Sequence, residues 1–266
     1  MAILYGIHAV EEALAAGRPL ERLLVVRPYG RPEGRASARG PTRGRGGKRL
    51  ERLVAAARSR SVPVRFVPRH EADRLAGTGH HQGVVAVSGV KHYADLEELL
   101  EAATGPGRRP ALFVVLDGVE DPHNLGAIIR TAHCASADGI ILPERRAAPL
   151  SGTVAKAAAG AVEHIAIARV TNLARALDRL KEAGCWIVGL DPQAPQKFTQ
   201  ADLTLPCALV LGSEGRGLHT RTGQKCDFLV SIPTAGAVTS LNVSVAAGIV
   251  LYEALRQRHT KEKESV

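Results

Sequence analysis

Aromatic residues are scarce in this chain, at 3% with a single Trp, although hydrophobic residues reach 45%. A core with so few rings must be built from Ala, Val, Leu and Ile, as expected for alternating strands and helices. Cysteine is equally sparse. Cys134, Cys185, Cys207 and Cys226 are scattered without a C-x-x-C pair, so neither a zinc site nor a disulfide framework is suggested. No apolar run reaches the ~18 to 20 residues of a membrane span. The opening MAILYGIHAVEEAL interrupts its apolar stretch with His8, Glu11 and Glu12, unlike a signal peptide. These absences lead us to expect a soluble, cytoplasmic protein.

Acidic residues are in deficit: 26 Asp and Glu stand against 35 Lys and Arg, giving +9 over 266 residues. The excess favours a polyanionic partner, because Lys and Arg attract phosphate and release its counterions. Genomic base composition produces the same bias, so the charge names a class of partner and no activity.

Along the chain, LLVV (23–26), VRFV (64–67) and GVVAVSG (83–89) read as strands and KRLERLVAAARSR (48–60) as a helix, a small α/β unit over residues 1–90. Inside it, residues 31–49 are rich in Arg, Gly and Pro and are expected to form a flexible basic loop. Residues 91–110 carry a short amphipathic piece and then TGPGRRP, which reads as a linker. From 111 to 266 the pattern strengthens: ALFVVLD, GIIL, HIAIA, CWIVGL, CALVLG and FLVSI are nearly continuous apolar runs separated by helical stretches. That alternation predicts a mainly parallel sheet covered on both faces.

Ligands of such sheets sit beyond the strand C-termini. Three strand-to-loop junctions qualify: LDGVEDPHNLGAIIRTA, with a helix opening at Asn124 and carrying Arg130; LVLGSEGRGL; and IPTAGAVTSLNVSVAAGIVLYEALRQR, whose helix opens with Ser240, Asn242 and Ser244. Residues 42–49 lack the first Gly and the closing hydroxyl of a P-loop, and GSEGRG has its glycines in the wrong order for a dinucleotide fingerprint. H-E-x-x-H and G-x-S-x-G are absent. Taken singly, each polar residue has a structural explanation: Asn124, Ser240 and Asn242 as helix caps, Arg130 as an ion-pair partner, Glu214 as a turn carboxylate. Their conjunction points further.

N-x-G-x-x-x-R (Asn124 to Arg130), L-G-x-E-G-x-G (Leu211 to Gly217) and I-P-x-x-G-x-x-x-S-L-N-V-S-V-A (Ile232 to Ala246) resemble, in order and spacing, the three motifs of the SpoU, or TrmH-like, RNA ribose 2′-O-methyltransferases of the SPOUT superfamily. The resemblance covers Leu112 to Arg258. YGIHAVEEAL and HHQGVVAV also look like the substrate-recognition domain of the branch that methylates a guanosine in 23S rRNA. The resemblance implies a SPOUT domain with a deep trefoil knot, preceded by a small ribosomal-protein-like RNA-binding domain. It implies S-adenosylmethionine held by Leu211, Gly212, Glu214, Gly215, Ile232, Ser240, Leu241 and Asn242, largely through backbone groups, and catalysis by Asn124, Arg130, Glu214, Ser240 and Asn242 without metal. It also implies a homodimer in which Arg130's segment completes the neighbour's site and the helix from Val245 to Leu255 supplies contact; alternatively that helix packs only on its own sheet.

Chemistry constrains the roles. Methylating a ribose 2′-hydroxyl requires alignment and removal of a proton from a weak acid. A guanidinium is nearly impossible to deprotonate, so Arg130 is expected to stabilise phosphate and alkoxide. Asn124 would orient the ribose, and Glu214 would hold Arg130 or Asn124. A tRNA target, a thiostrepton-resistance-type rRNA target, and a non-catalytic RNA-binding or assembly protein on the same fold are the alternatives.

Overall fold

The computed structural model describes residues 2–27, 45–89, 91–105, 107–237 and 239–264. It divides into two compact units, Met1–Lys91 with Leu150–Glu163, and His92–Pro149 with His164–Val266.

The first unit contains β1 (Ala2–Tyr5), α1 (Ile7–Ala15), β2 (Leu20–Val26), α2 (Arg45–Ser59), β3 (Val64–Val67), α3 (Arg69–Ala76) and β4 (Val84–Ser88). Its four-stranded sheet has the order β1-β4-β2-β3, with β2 and β3 parallel and β4 antiparallel to both neighbours. The parallel pair needs a crossover, and α2 lies on that connection. The helix starts at Arg45, earlier than Lys48, so the basic loop expected over 31–49 loses its last residues to α2; residues 31–44 lie outside the described residues. The sequence reading placed residues 150–163 with the C-terminal domain, whereas in the structure they pack in the first unit. A Cβ on Gly152 would come within 2.1 Å of the Ile3 carbonyl oxygen, the Tyr5 hydroxyl lies 2.9 Å from Thr153 Oγ1, and Arg18 pairs with Glu163 at 2.7 Å, both largely buried.

The second unit contains α4 (Leu96–Thr104), β5 (Leu112–Asp117), α5 (Pro122–Cys134) and β6 (Gly139–Pro143). The Gly152–Ala157 helix, α6, belongs to the first unit. Then follow β7 (Ala166–Val170), α7 (Leu173–Glu182), β8 (Trp186–Leu190), β9 (Gln196–Lys197), β10 (Cys207–Gly212), α8 (Thr220–Gly223), β11 (Phe228–Ser231) and α9 (Val243–Glu264). The seven strands run β7-β6-β5-β10-β8-β11-β9, and every adjacent pair is parallel. Burial explains the apolar runs: all residues of β5 are buried, and Phe113, Val115, Ala208 and Val210 join Leu177 and Leu180 of α7 in one core cluster. Because β5, β10 and β11 are parallel members of one sheet, the three glycine- or asparagine-rich junctions leave from the same edge. Among the described residues no helix is long and apolar enough to cross a membrane.

Helix α9 returns from that edge to the other. Near its far end, the Arg258 guanidinium donates to the carbonyls of Leu203 (2.9 Å), Pro110 (2.6 Å), Ala111 (3.0 Å) and Leu205 (3.0 Å). One side chain thus ties the helix to the start of β5 and to the approach to β10. Hydrogen bonds from charged donors contribute about 1.5 to 3 kcal/mol each and do not add fully, so Arg258→Ala is expected to cost roughly 3 kcal/mol. A lowered midpoint in urea unfolding checks this.

Candidate functional site

The site grows from the ends of β5 and β10, which lie side by side with Gly212 opposite Asp117. After β5 the chain turns through Gly118, at φ 92°. Asp121 then caps α5, its Oδ1 accepting the His123 N–H at 2.8 Å, with Pro122 in the first turn. The helix therefore opens at Pro122 and not at Asn124. Relieved of capping, Asn124 sits buried within the first turn, at 8% exposure.

After β10 the loop from Ser213 to Gly217 closes on itself through two backbone bonds, Ser213 N to Gly217 O (3.0 Å) and Gly217 N to Ser213 O (2.9 Å). A Cβ on Gly212 would lie 2.1 Å from the Gly217 carbonyl carbon, so only glycine allows this closure. The loop presents Glu214, whose Oε1 accepts from Asn124 Nδ2 (2.9 Å), Asn242 Nδ2 (2.6 Å) and the Val243 backbone N–H (3.4 Å). Asn242 Nδ2 also donates to Asn124 Oδ1 at 2.9 Å. Asn242 Oδ1 accepts the N–H groups of Ser244 (2.9 Å) and Val245 (3.3 Å) and the Ser244 hydroxyl (2.6 Å). Asn242 is thus both the cap of α9 and a member of the cluster, and the helix begins at Val243 instead of Ser240. An acceptor side chain is needed there to satisfy N–H groups that have no partner inside the helix.

Two cavities meet at this cluster. One, of about 390 Å³, is lined by Leu211, Gly212, Gly215, Ile232, Ser240 and Leu241 among others. The second, of about 440 Å³, is lined by Gly118, Glu120, Asn124, Arg146 and His219 among others. Ser213, Glu214, Arg216 and Val243 line both, so Glu214 stands in the shared wall.

The structure therefore gathers Asn124, Glu214 and Asn242 into one network and puts Leu211, Gly212, Glu214, Gly215, Ile232, Ser240 and Leu241 around one cavity. Ser240 is exposed at that cavity and makes no hydrogen bond to the network. Arg130 is not brought in: it is exposed on α5, lines neither cavity, and has no hydrogen-bonding or ionic partner among the described residues. Glu214 therefore holds the two asparagines and not Arg130. Sequence reasoning overlooked Arg146 and His219. Arg146 follows β6, a further strand end on the same edge, and the rule that singled out the other junctions applies to it equally.

Comparison with known proteins gives a consistent result. Residues 111–252 match the model of the SpoU rRNA Methylase family, and residues 42–94 match the model for RNA 2′-O ribose methyltransferase substrate binding. The chain is 45% identical over 261 residues to the 23S rRNA (guanosine-2′-O-)-methyltransferase RlmB of Pseudomonas putida, covering 97% of each chain. It is 49% identical over 209 residues to YacO of Bacillus subtilis, named for the TrmH family of tRNA/rRNA methyltransferases, covering 79% of this chain and 83% of YacO. Among solved structures, the SpoU methyltransferase AviRb from Streptomyces viridochromogenes, in complex with the cofactor AdoMet, superposes with a TM-score of 0.75 at 26% identity, over 97% of this chain and 90% of AviRb.

The double duty of Asn242 is testable by two substitutions. Asn242→Ala is expected to lose about 1 kcal/mol of stability through the missing cap, largely independent of salt. Asn242→Asp keeps a capping oxygen but sets a second carboxylate where Nδ2 now lies 2.6 Å from Glu214 Oε1. Its loss of stability is expected to grow as ionic strength falls, because repulsion between exposed charges is screened by salt. Urea midpoints at low and high KCl separate the two.

Proposed function

The chain belongs to the SpoU rRNA Methylase family and is an RNA ribose 2′-O-methyltransferase using S-adenosylmethionine, and from that premise we propose that its acceptor is a guanosine of 23S rRNA. The observation that carries this reading is the likeness to the Pseudomonas enzyme along 97% of both chains, recognition unit included. The substrate-binding match over residues 42–94 and the net charge of +9 support an RNA partner for the first unit.

The residues present fit the cofactor. The cavity of about 390 Å³ offers Leu211, Ile232 and Leu241 as apolar walls, and Gly212 makes a cradle that any side chain at that position would disrupt. When bound, S-adenosylmethionine supplies a methyl group made electrophilic by its sulfonium. The chain's own residues do the rest. Asn124 and Asn242, locked by Glu214, orient the acceptor ribose, and Ser240 offers a hydroxyl at the cofactor cavity. Glu214 Oε1 is saturated by three donors, while Oε2 has no partner among the described residues. The hydroxyl proton leaves to Oε2, to water or to a phosphate oxygen, and Arg130 stabilises the alkoxide without giving up its own proton.

Arg130 reaches this chemistry from a second copy of the chain. Its exposure away from both cavities supports that arrangement, as do the exposed apolar side chains of Val245 and Tyr252 on α9. Helices α5 and α9 pack together, so one surface carries both. The knotted path of the family belongs to the same proposal. The tight approach of Gly212 to Gly217 and the run of α9 back to the start of β5, where Arg258 meets the Ala111 carbonyl, are compatible with a tucked chain.

Transfer of labelled methyl to a 23S rRNA transcript and to tRNA, with the nucleoside identified by mass, tests the acceptor. The expected product is 2′-O-methylguanosine in the rRNA; label confined to tRNA would overturn it. Arg130→Ala is expected to lower kcat roughly 100-fold, the scale of losing one transition-state donor, with cofactor affinity unchanged. Mixing Arg130→Ala with Glu214→Ala protomers should restore activity, because mixed dimers contain one site with both residues intact.

A further inference from the structure

The wall of the cavity of about 440 Å³ includes His219 and Arg146, the outer members of a hydrogen-bonded chain that the Glu214 network does not use. It begins at Asp117, the last residue of β5, which is 6% exposed. Asp117 Oδ2 accepts the His219 backbone N–H and Oδ1 meets His219 Nδ1, both at 2.9 Å. The far ring nitrogen, Nε2, lies 3.0 Å from Arg146 Nη1. A guanidinium has donors only, so Nε2 must offer its lone pair and Nδ1 must carry the proton. One neutral tautomer satisfies both contacts.

This leaves the charge of Arg146 uncompensated. Several other arginines meet carboxylates, as in Arg18 with Glu163 (2.7 Å), Arg109 with Asp138 (2.9 Å) and Arg256 with Glu253 (2.8 Å). A neutral imidazole orients the guanidinium without neutralising it. Of the carboxylates that line the cavity, Asp121 caps α5 and Glu214 Oε1 holds three donors, and neither meets Arg146; Asp117, behind His219, is committed to that ring. Glu120 is exposed and Arg216, a second cation on the wall, has no partner among the described residues. The local backbone is also built for this contact. Arg146 sits at φ 60°, a region that non-glycine residues seldom occupy and that clusters at functional sites. A Cβ on Gly118, itself at φ 92°, would lie 3.4 Å from His219 Cε1 and 3.3 Å from Ser213 Cβ.

We infer that this cavity binds a backbone phosphate of the acceptor RNA, with Arg146 as its principal ligand and His219 and Asp117 as positioning residues. The inference rests on the RNA methyltransferase reading. A guanidinium fork matches two phosphate oxygens at once, and four N–H donors of Arg146 remain after the bond to His219. The phosphate next to the reacting ribose is the anion that this cavity, sharing its Glu214 wall with the cofactor cavity, is placed to receive.

The test is filter binding of a 23S rRNA transcript across a KCl series, with S-adenosylmethionine affinity measured in parallel by calorimetry. For Arg146→Ala the slope of log affinity against log salt should fall by about 0.7, the value for losing one single-strand phosphate contact, while cofactor affinity stays unchanged. Arg146→Lys should keep the slope. His219→Ala should weaken RNA binding and His219→Gln, which keeps an acceptor oxygen, should recover it. An unchanged slope in Arg146→Ala, or an equal fall in cofactor affinity, overturns the inference, the second result assigning Arg146 to the cofactor's own carboxylate. If the wild type methylates no RNA, the functional reading fails by that result alone, and the salt slope still decides whether Arg146 holds a phosphate.

Discussion

One carboxylate oxygen organises the site. Glu214 Oε1 collects an amide from α5, an amide from the residue before α9 and the first backbone N–H of α9. Helix α5 follows β5, which ends at Asp117, the Glu214 loop follows β10, which starts only at Cys207, and α9 comes after β11; the parallel sheet brings these distant strands to one edge. Without a shared acceptor, two asparagine side chains and a helix terminus would face each other with donors unsatisfied, a costly arrangement wherever water is displaced. With it, the two cavities acquire a common wall. Cofactor and acceptor must meet at such a wall for methyl transfer, because alignment of donor and acceptor is most of what the reaction asks of the protein.

Glycine is the backbone counterpart of that oxygen. The loop carrying Glu214 folds back so that Gly217 lies against Gly212, closer than any side chain permits. Gly118 likewise gives room to Ser213 and His219. Close backbone approach and a few committed polar groups do here what bulky side chains do in other sites, consistent with a chain that has only 3% aromatic residues.

Much of this was legible in the sequence, for physical reasons. Strands such as ALFVVLD and CALVLG are buried on both faces, so their apolar runs stand out, and the structure keeps their bounds to within a residue. Short or polar elements did not stand out: β9 is Gln196–Lys197, and β1 and α1 carry no pattern that marks them as a strand and a helix, although YGIHAVEEAL contributes to the family resemblance. Helix starts moved because capping is a three-dimensional matter; Asp121 displaced Asn124 as a cap, and Asn242 displaced Ser240. That Asn124, Glu214 and Asn242 belong to one site was implied by the family resemblance, but their convergence on one oxygen was not, nor was the contact of Arg146 with His219, 73 residues away. The packing of residues 150–163 in the first unit was invisible for the same reason: Gly152 against the Ile3 carbonyl is a contact between segments that no local pattern links.

The most direct measurement of this account is hydrogen exchange by mass spectrometry on Glu214→Ala against the wild type. If one carboxylate binds three elements together, peptides covering the first turns of α5 and α9 lose protection together, along with the loop from Ser213 to Gly217, while β5 and β10 stay protected. Loss confined to the loop, with both helix starts unchanged, would contradict the claim that Glu214 holds the site in one piece.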